Sequence, residues 1–249
     1  MDERELRFDR EKHVCYSKAM KQVIRTHLRQ HYGEAEAEEL WEQIQRQYVA
    51  FLEEQPYLGG AKCTHNGAGG TYDCIAVFAY YEVLPDKPTL EELYEMLNAV
   101  LLPPFRRLGR LVHLSHPLLL RICQKAFVNV AARDRKLAEQ CPTGYLMEVE
   151  PYDPGLGIRY RFRRCPIAEF AKAHGYLHLM PAFCNGDYPA MEALHAGLIR
   201  EFTCANGPYC DYWIVGENSS FLQENPRITD ETGYFRNISQ ENCAANKKI

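Results

Sequence analysis

The sequence predicts an α+β fold, a helical N-terminal half packed on a small antiparallel sheet with a C-terminal β-hairpin. Three observations predict it. Apolar residues recur at helical spacing through roughly the first 140 residues. From Tyr145 the chain changes to short runs rich in aromatic and β-branched residues, bounded by turn signals. Near the end, Ala205-Asn206-Gly207-Pro208 separates two such runs and marks a tight turn. Helices first and mixed elements later suggest a small antiparallel sheet covered by helices.

The elements follow in order. Residues from about Phe8 to His31 carry Val14, Ala19, Met20, Val23, Ile24 and Leu28 on one helical face, and Glu34 to Glu53 carry Leu40, Trp41, Ile44, Tyr48 and Leu52. These two helices are expected to form a hairpin that ends at Pro56. A glycine-rich polar loop spans Gly59 to Asp73, followed by a helix from about Tyr72 to Leu84. Thr89 with Glu92 reads as a capping box for a helix over Leu90–Leu101, broken by Pro103-Pro104. Leu108 to Glu139 reads as helical and largely buried, punctuated near Pro117. Tyr145–Val149 and Ile158–Arg164 read as strands joined through Asp153-Pro154-Gly155. Cys165-Pro166 opens a helix that stops at Gly175. Tyr176–Met180 reads as a strand, about Pro189 to His195 as a helix, and Leu198–Cys204 with Tyr209–Val215 as the hairpin. The last thirty residues are polar and read as a loosely held tail.

The bulk numbers exclude several classes. At 249 residues the chain suits one domain, and 46% hydrophobic content is ordinary for a globular protein. A net charge of −4 argues against a general nucleic-acid binder. The charged start Met1-Asp2-Glu3-Arg4 is no secretory signal, and no apolar run is long enough to span a membrane. A cytoplasmic location is therefore expected, with ten cysteines kept as thiols rather than a disulfide framework. No Cys-x-x-Cys pair occurs, so the common structural-zinc and thioredoxin spacings are absent.

Three groups of residues carry candidate chemistry. In the first, Cys184 and Asp187 lie in a loop expected just before a helix, where N–H donors lower a thiol pKa. A buried Cys beside an N-capping Asp is the structural alternative. With a two-residue turn at Asn206-Gly207, Arg200 pairs with Trp213 and shares a face with Asp211, while Cys210 and Tyr212 take the other face. Cys184, Cys210, His65 and Asp187 are also ligands of zinc type, so a divalent metal stays open. In the second, His65 and Asn66 sit in the glycine-rich loop, suited to holding a polar ligand, with Asp73 and Glu82 on the helix that follows. In the third, Arg159, Arg161 and Arg163 share one strand face, read as solvated, with guidance of an anionic substrate as the alternative. His174, His178 and His195 read as satisfied surface or core residues.

Taken together, these segments resemble the L-2-amino-thiazoline-4-carboxylic acid hydrolase family. The resemblance rests on Leu58-Gly59-Gly60 through Asn66, on Tyr72-Asp73 and Tyr80-Tyr81-Glu82, and on Cys165-Pro166-Ile167-Ala168-Glu169-Phe170 to Gly175. It continues through Met180-Pro181-Ala182-Phe183-Cys184, Asp187-Tyr188 and Gly197-Leu198-Ile199-Arg200, and ends at Cys210-Asp211-Tyr212. It implies a hydrolase-like core over 57–215, between the helical hairpin of 1–56 and a polar tail of 216–249. It also implies ring opening of a small cyclic isothiourea carboxylate to a carbamoyl-cysteine product. On that basis Cys184 or Cys210 is the candidate nucleophile, Asp187 or Asp211 the base, and His65 the acid. Arg200, Asn66, Tyr188 and Glu82 are the candidate substrate contacts. The expected partner is a small-molecule substrate, without nucleic acid or membrane, and the N-terminal helices are a candidate homodimer arm. The hairpin from Cys204 to Cys210 also looks like the end of vinyl-reductase-type regulatory domains, which leaves a small-molecule or metal sensor without catalysis as the alternative.

Overall fold

The computed structural model describes residues 16–60, 65 and 70–238. Helix α1 (Lys18–Glu54) starts where the Ser17 side chain accepts from the Met20 N–H, later than the periodicity suggests. Residues 8–15 of the expected first helix lie outside the described residues. At Gly33 the backbone takes φ +76, a left-handed value that glycine tolerates, and α1 doubles back. Tyr16 then packs edge-on against Trp41 and Tyr48, and Arg25 and Arg29 reach Glu38 from the other arm.

Helix α2 (Thr71–Val83) is apolar all round and buried from Thr71 to Tyr80, the mark of a central helix. It is tied to α1 by the Asp73 carboxylate, which accepts from both the N–H and the hydroxyl of Ser17 at 2.6 and 3.0 Å. Helix α3 (Leu90–Gly109) opens with the expected Thr89–Glu92 capping box. It does not stop at Pro103-Pro104. Each proline removes one N–H, but buried Val100 and Leu102 and the close approach at Gly109 hold the helix in place. A Cβ on Gly109 would meet the Ala193 carbonyl oxygen at 1.7 Å, so only glycine allows this contact. Helix α4 (Pro117–Ala138) buries only Leu120, Gln124, Ala131 and Asp134, fewer than expected, because it lies across the sheet with one stripe inward.

The sheet is antiparallel, with order β1-β2-β4-β3: β1 (Leu146–Val149), β2 (Ile158–Arg164), β3 (Ala196–Ile199) and β4 (Cys210–Gly216). Between β2 and β3 run α5 (Pro166–Ala173), a 3₁₀ turn over Leu177–Leu179, α6 (Met180–Cys184) and α7 (Asp187–Glu192). The expected strand at Tyr176–Met180 is thus helical, since Gly175 at φ +78 turns the chain and Pro181 favours a helix start. Residues 216–238 are no loose tail. They form α8 (Ser220–Glu224) and a hairpin of β5 (Arg227–Thr229) with β6 (Phe235–Asn237), anchored by Asn237. Among the described residues no helix is long and apolar enough to cross a membrane.

Strand register sets the site. Tyr160 pairs with Tyr212 and Phe162 with Cys210 across β2 and β4. Ile199 pairs with Trp213 across β3 and β4, one residue away from the register expected from a tight turn. That register aligns Arg200 with Tyr212 rather than with Trp213, and only beyond it does the Asp211 N–H donate to the Phe202 carbonyl at 3.3 Å, as the turn predicts. A slip of one residue exchanges strand faces. Arg200 therefore joins Cys210 and Tyr212, while Asp211 points to the opposite face with Arg159, Arg161 and Arg163.

Candidate functional site

The centre of the site is the Asp187 carboxylate, in the first turn of α7. Its Oδ2 accepts from Arg200 Nη1 and from Tyr212 Oη, both at 2.7 Å. The side chain is 36% exposed whereas that of Arg200 is 0% exposed, so the pair spans from interior to water. No described residue holds Oδ1, which leaves one acceptor oxygen for a ligand. Burying a guanidinium is costly unless its charge is paired and its N–H groups are bonded. Arg200 pairs with Asp187, donates Nη2 to the Cys184 carbonyl at 2.8 Å and lies against the Tyr188 and Tyr212 rings, 5.1 and 5.5 Å away, while its buried Nε has no hydrogen-bond partner among the described residues. Its backbone N–H donates to Asn237 Oδ1 at 3.0 Å, and Tyr188 Oη donates to the same oxygen at 2.9 Å. Asn237 so fixes where β3 ends and where Arg200 begins.

Tyr212 stacks on Tyr160 with ring centres 4.5 Å apart. Burial, reinforced by the Asp187 charge, pushes both phenols well above their ordinary range. Tyr212 therefore stays protonated and serves as a donor to Asp187.

Thiols surround this carboxylate. Cys165, Cys184, Cys204 and Cys210 are free, and all except Cys210 keep partial exposure. They lie close enough for each to feel another's charge, and Cys165, Cys184 and Cys210 also feel Asp187. Burial pushes the Cys184 thiol well up and Cys210 up to about 12, with the Arg200 charge opposing both shifts. Cys184 stands at the C-terminal end of α6, not ahead of a helix N-terminus as the sequence suggested. Cys165 takes that place instead, as N-cap of the eight-residue α5. Burial raises its pKa, and the nearby N–H groups of Ala168 and Ile167 and the Tyr145 hydroxyl oppose the rise, although no capping bond of regular geometry forms. The signal for Cys165 was readable, since Cys-Pro at the start of a helix is an N-cap followed by N1.

The other expected site residues fall outside this centre. Asp211 accepts from the Glu201 and Phe202 N–H groups at 3.0 and 2.7 Å, closing the loop after β3. Glu82 lies eleven residues along α2 from Thr71, roughly 16 Å at helical rise, and accepts from Tyr176 Oη at 2.5 Å. Tyr188 is buried beneath Arg200 and has no free face for a substrate. Arg200, with both terminal nitrogens engaged, positions Asp187 rather than clamping a substrate carboxylate. His65 pairs through Nε2 with the buried Asp134 of α4 at 2.7 Å. Its ring packs on Tyr145 and Phe162, at 4.1 and 5.4 Å, and Phe162 in turn meets Tyr212 at 5.7 Å. The His65–Asp134 dyad is thus separated from Asp187 by aromatic rings. Asn66 lies outside the described residues. Cys184, Cys210 and His65 do not converge as metal ligands among the described residues. Arg161 and Arg163 pair with Glu150 and Glu148 on the solvated face. Sequence reasoning placed Tyr212 beside Cys210 without a role and missed Tyr160, Asp134 and Asn237. The last two are recruited from 69 and 37 residues away in sequence from the groups they hold.

The model of the L-2-amino-thiazoline-4-carboxylic acid hydrolase family matches residues 73–214, more than half of the chain. Cys165, Cys184, Asp187, Arg200, Cys210 and Tyr212 all fall inside that span. No curated protein and no solved structure matches the chain.

Proposed function

The chain belongs to the L-2-amino-thiazoline-4-carboxylic acid hydrolase family, and from that premise we propose that it hydrolyses a small cyclic amidine or isothiourea carboxylate to a carbamoyl-cysteine-type product. The observation that carries the reading is the half-exposed Asp187 carboxylate, with Oδ2 fixed by Arg200 and Tyr212 and Oδ1 open. An amidinium offers N–H donors that such an oxygen accepts, and the carboxylate keeps the amidine protonated, the form whose carbon is more electrophilic. In the overall reaction one water is consumed. A carbon–oxygen bond forms at the amidine carbon, the ring bond from that carbon to sulfur breaks, and the two protons of the water go to the released sulfur and to the amidine nitrogen. A thiolate adds first in the covalent version, and Cys165 is the favoured nucleophile because helix N–H groups stabilise its anion.

Replacing Asp187 with Asn keeps the shape and the acceptor oxygen but removes the charge. Ring opening of the thiazoline carboxylate, read as release of a free thiol, is expected to slow by about 10²- to 10⁴-fold. Turnover within about threefold of wild type in folded D187N protein would remove the carboxylate from the mechanism. The rival reading, non-covalent binding without catalysis, is favoured by one observation: burial pushes every thiol of the cluster toward its neutral form. Wild-type protein that binds the thiazoline and releases no thiol would establish that alternative.

A further inference from the structure

A second cluster lies away from the thiols, where the first arm of α1 meets the start of α3. His27 and His31 are one helical turn apart on α1 and share a face, their rings stacked at 3.9 Å. Glu92 approaches from the first turn of α3. One ligand atom from each of the three lies within 4.8 Å of the other two.

The hydrogen bonds decide which atoms are free. His31 Nδ1 bonds the His27 carbonyl at 2.9 Å, so it carries the proton and leaves Nε2 with its lone pair. His27 Nδ1 lies 2.7 Å from Tyr80 Oη, and with Nδ1–H donating to the phenol oxygen Nε2 keeps its lone pair. Glu92 uses Oε2 for the Thr89 N–H and hydroxyl, at 2.7 and 2.8 Å, and keeps Oε1. Each side chain is thus held by one atom and offers another. Metal-binding histidines show this pattern, with the second ring nitrogen tied to a carbonyl or hydroxyl that fixes the ring.

We infer that His27, His31 and Glu92 form a three-ligand site for a divalent ion of zinc type, clamping the helical hairpin to α3. Two imidazoles and a carboxylate are borderline-soft and hard donors in the set that zinc accepts, with a fourth position left to water. Tetrahedral zinc places its donors about 3.3 Å apart. Reaching that spacing from 4.8 Å requires side-chain rotation of His31 and Glu92, both exposed. The site is independent of the hydrolase reading, and none of its residues touches the thiol cluster.

The test is titration of zinc ion alone into the reduced full chain, with cobalt(II) as a spectroscopic substitute. One equivalent is expected to bind and to raise Tm. Its affinity should fall at least about tenfold in His31→Ala and in Glu92→Gln. Both positions are exposed, and Gln at residue 92 retains the capping interaction, so each variant remains folded. The cobalt adduct should lack the intense charge-transfer absorption of thiolate ligands. Three results each overturn the inference: no zinc binding, zinc affinity unchanged in both variants, or a thiolate charge-transfer band, which would assign the ion to the cysteines.

Discussion

Cys165 and Cys184 both lie near the Asp187 carboxylate, yet they stand at opposite ends of helices. Cys165 precedes the first turn of α5, among N–H groups that favour an anion. Cys184 ends α6, and its carbonyl is spent on Arg200. Burial raises both thiols, but Cys184 is driven well up while backbone and Tyr145 donors restrain Cys165. Arg200 is the one group opposing the rise at Cys184, and its charge is already shared with Asp187. The same residue type at nearly the same depth thus acquires two chemistries from the direction of the nearest helix.

The sharpest way to break this comparison is to exchange each sulfur for oxygen. Cys165→Ser is expected to lower ring-opening kcat by about 10³-fold or more, as removal of a nucleophile does. Cys184→Ser should stay within about threefold of wild type. The reverse ranking, measured as thiol release in folded variants, would return Cys184 to the role its sequence context suggested. Equal and small effects would eliminate covalent catalysis at both.

Arg200 is the element that separates the two thiols, and its removal tests the frame around them. Arg200→Met leaves the Asp187 carboxylate without its counter-charge and the Cys184 carbonyl without its donor. The expected loss is about 3 kcal/mol, at the low end for a broken buried pair because Asp187 still reaches water. Arg163→Met, which breaks an exposed pair with Glu148, should cost under about 1 kcal/mol. Urea unfolding of the two variants checks the contrast, and equal costs would mean that the Asp187–Arg200 pair does not brace the site.

How legible this was depends on the range of the interactions. Local signals transferred well: the Thr89–Glu92 capping box, the Cys165-Pro166 helix start, the Gly175 stop and both strands of the β1–β2 pair follow from neighbours a few residues apart. Of the residues singled out together from the sequence, Asp187 and Arg200 meet beside Cys184 and Cys210, whereas Asp211 and His65 lie apart. The roles went astray where distant atoms decide. Asn185-Gly186-Asp187 looks like a helix entry with Cys184 ahead of it, but Met180-Pro181 starts a helix that Cys184 ends. The register predicted from the hairpin turn holds at Phe202 and Asp211 but is off by one along β3, past the loop whose N–H groups the Asp211 carboxylate binds. Polar composition hid residues 220–238, whose contribution is made by Asn237 reaching back to Arg200. No pattern local to Arg200 announces that contact.

The smallest expected effect separates the two thiols by proton linkage. A thiol whose folded pKa is raised binds its proton more tightly in the folded chain than in the unfolded one. That stability is fully present below the unfolded thiol value near 9 and is lost as pH rises toward the folded value, about 11 for Cys123 and about 12 for Cys210. Each such group steepens the decline by up to about 1.4 kcal/mol per pH unit within that window. Serine does not titrate there, so each Ser variant removes its own thiol's share. The restrained Cys165 thiol should stop contributing to the alkaline slope at a lower pH than Cys184, so the two Ser variants diverge toward the alkaline end of the range. Urea midpoints of wild type, Cys165→Ser and Cys184→Ser between pH 8 and pH 10.5 measure this. If Cys165→Ser flattens the curve as much as Cys184→Ser, the α5 N–H groups do not restrain the Cys165 thiol, and the case for it as nucleophile loses its electrostatic basis.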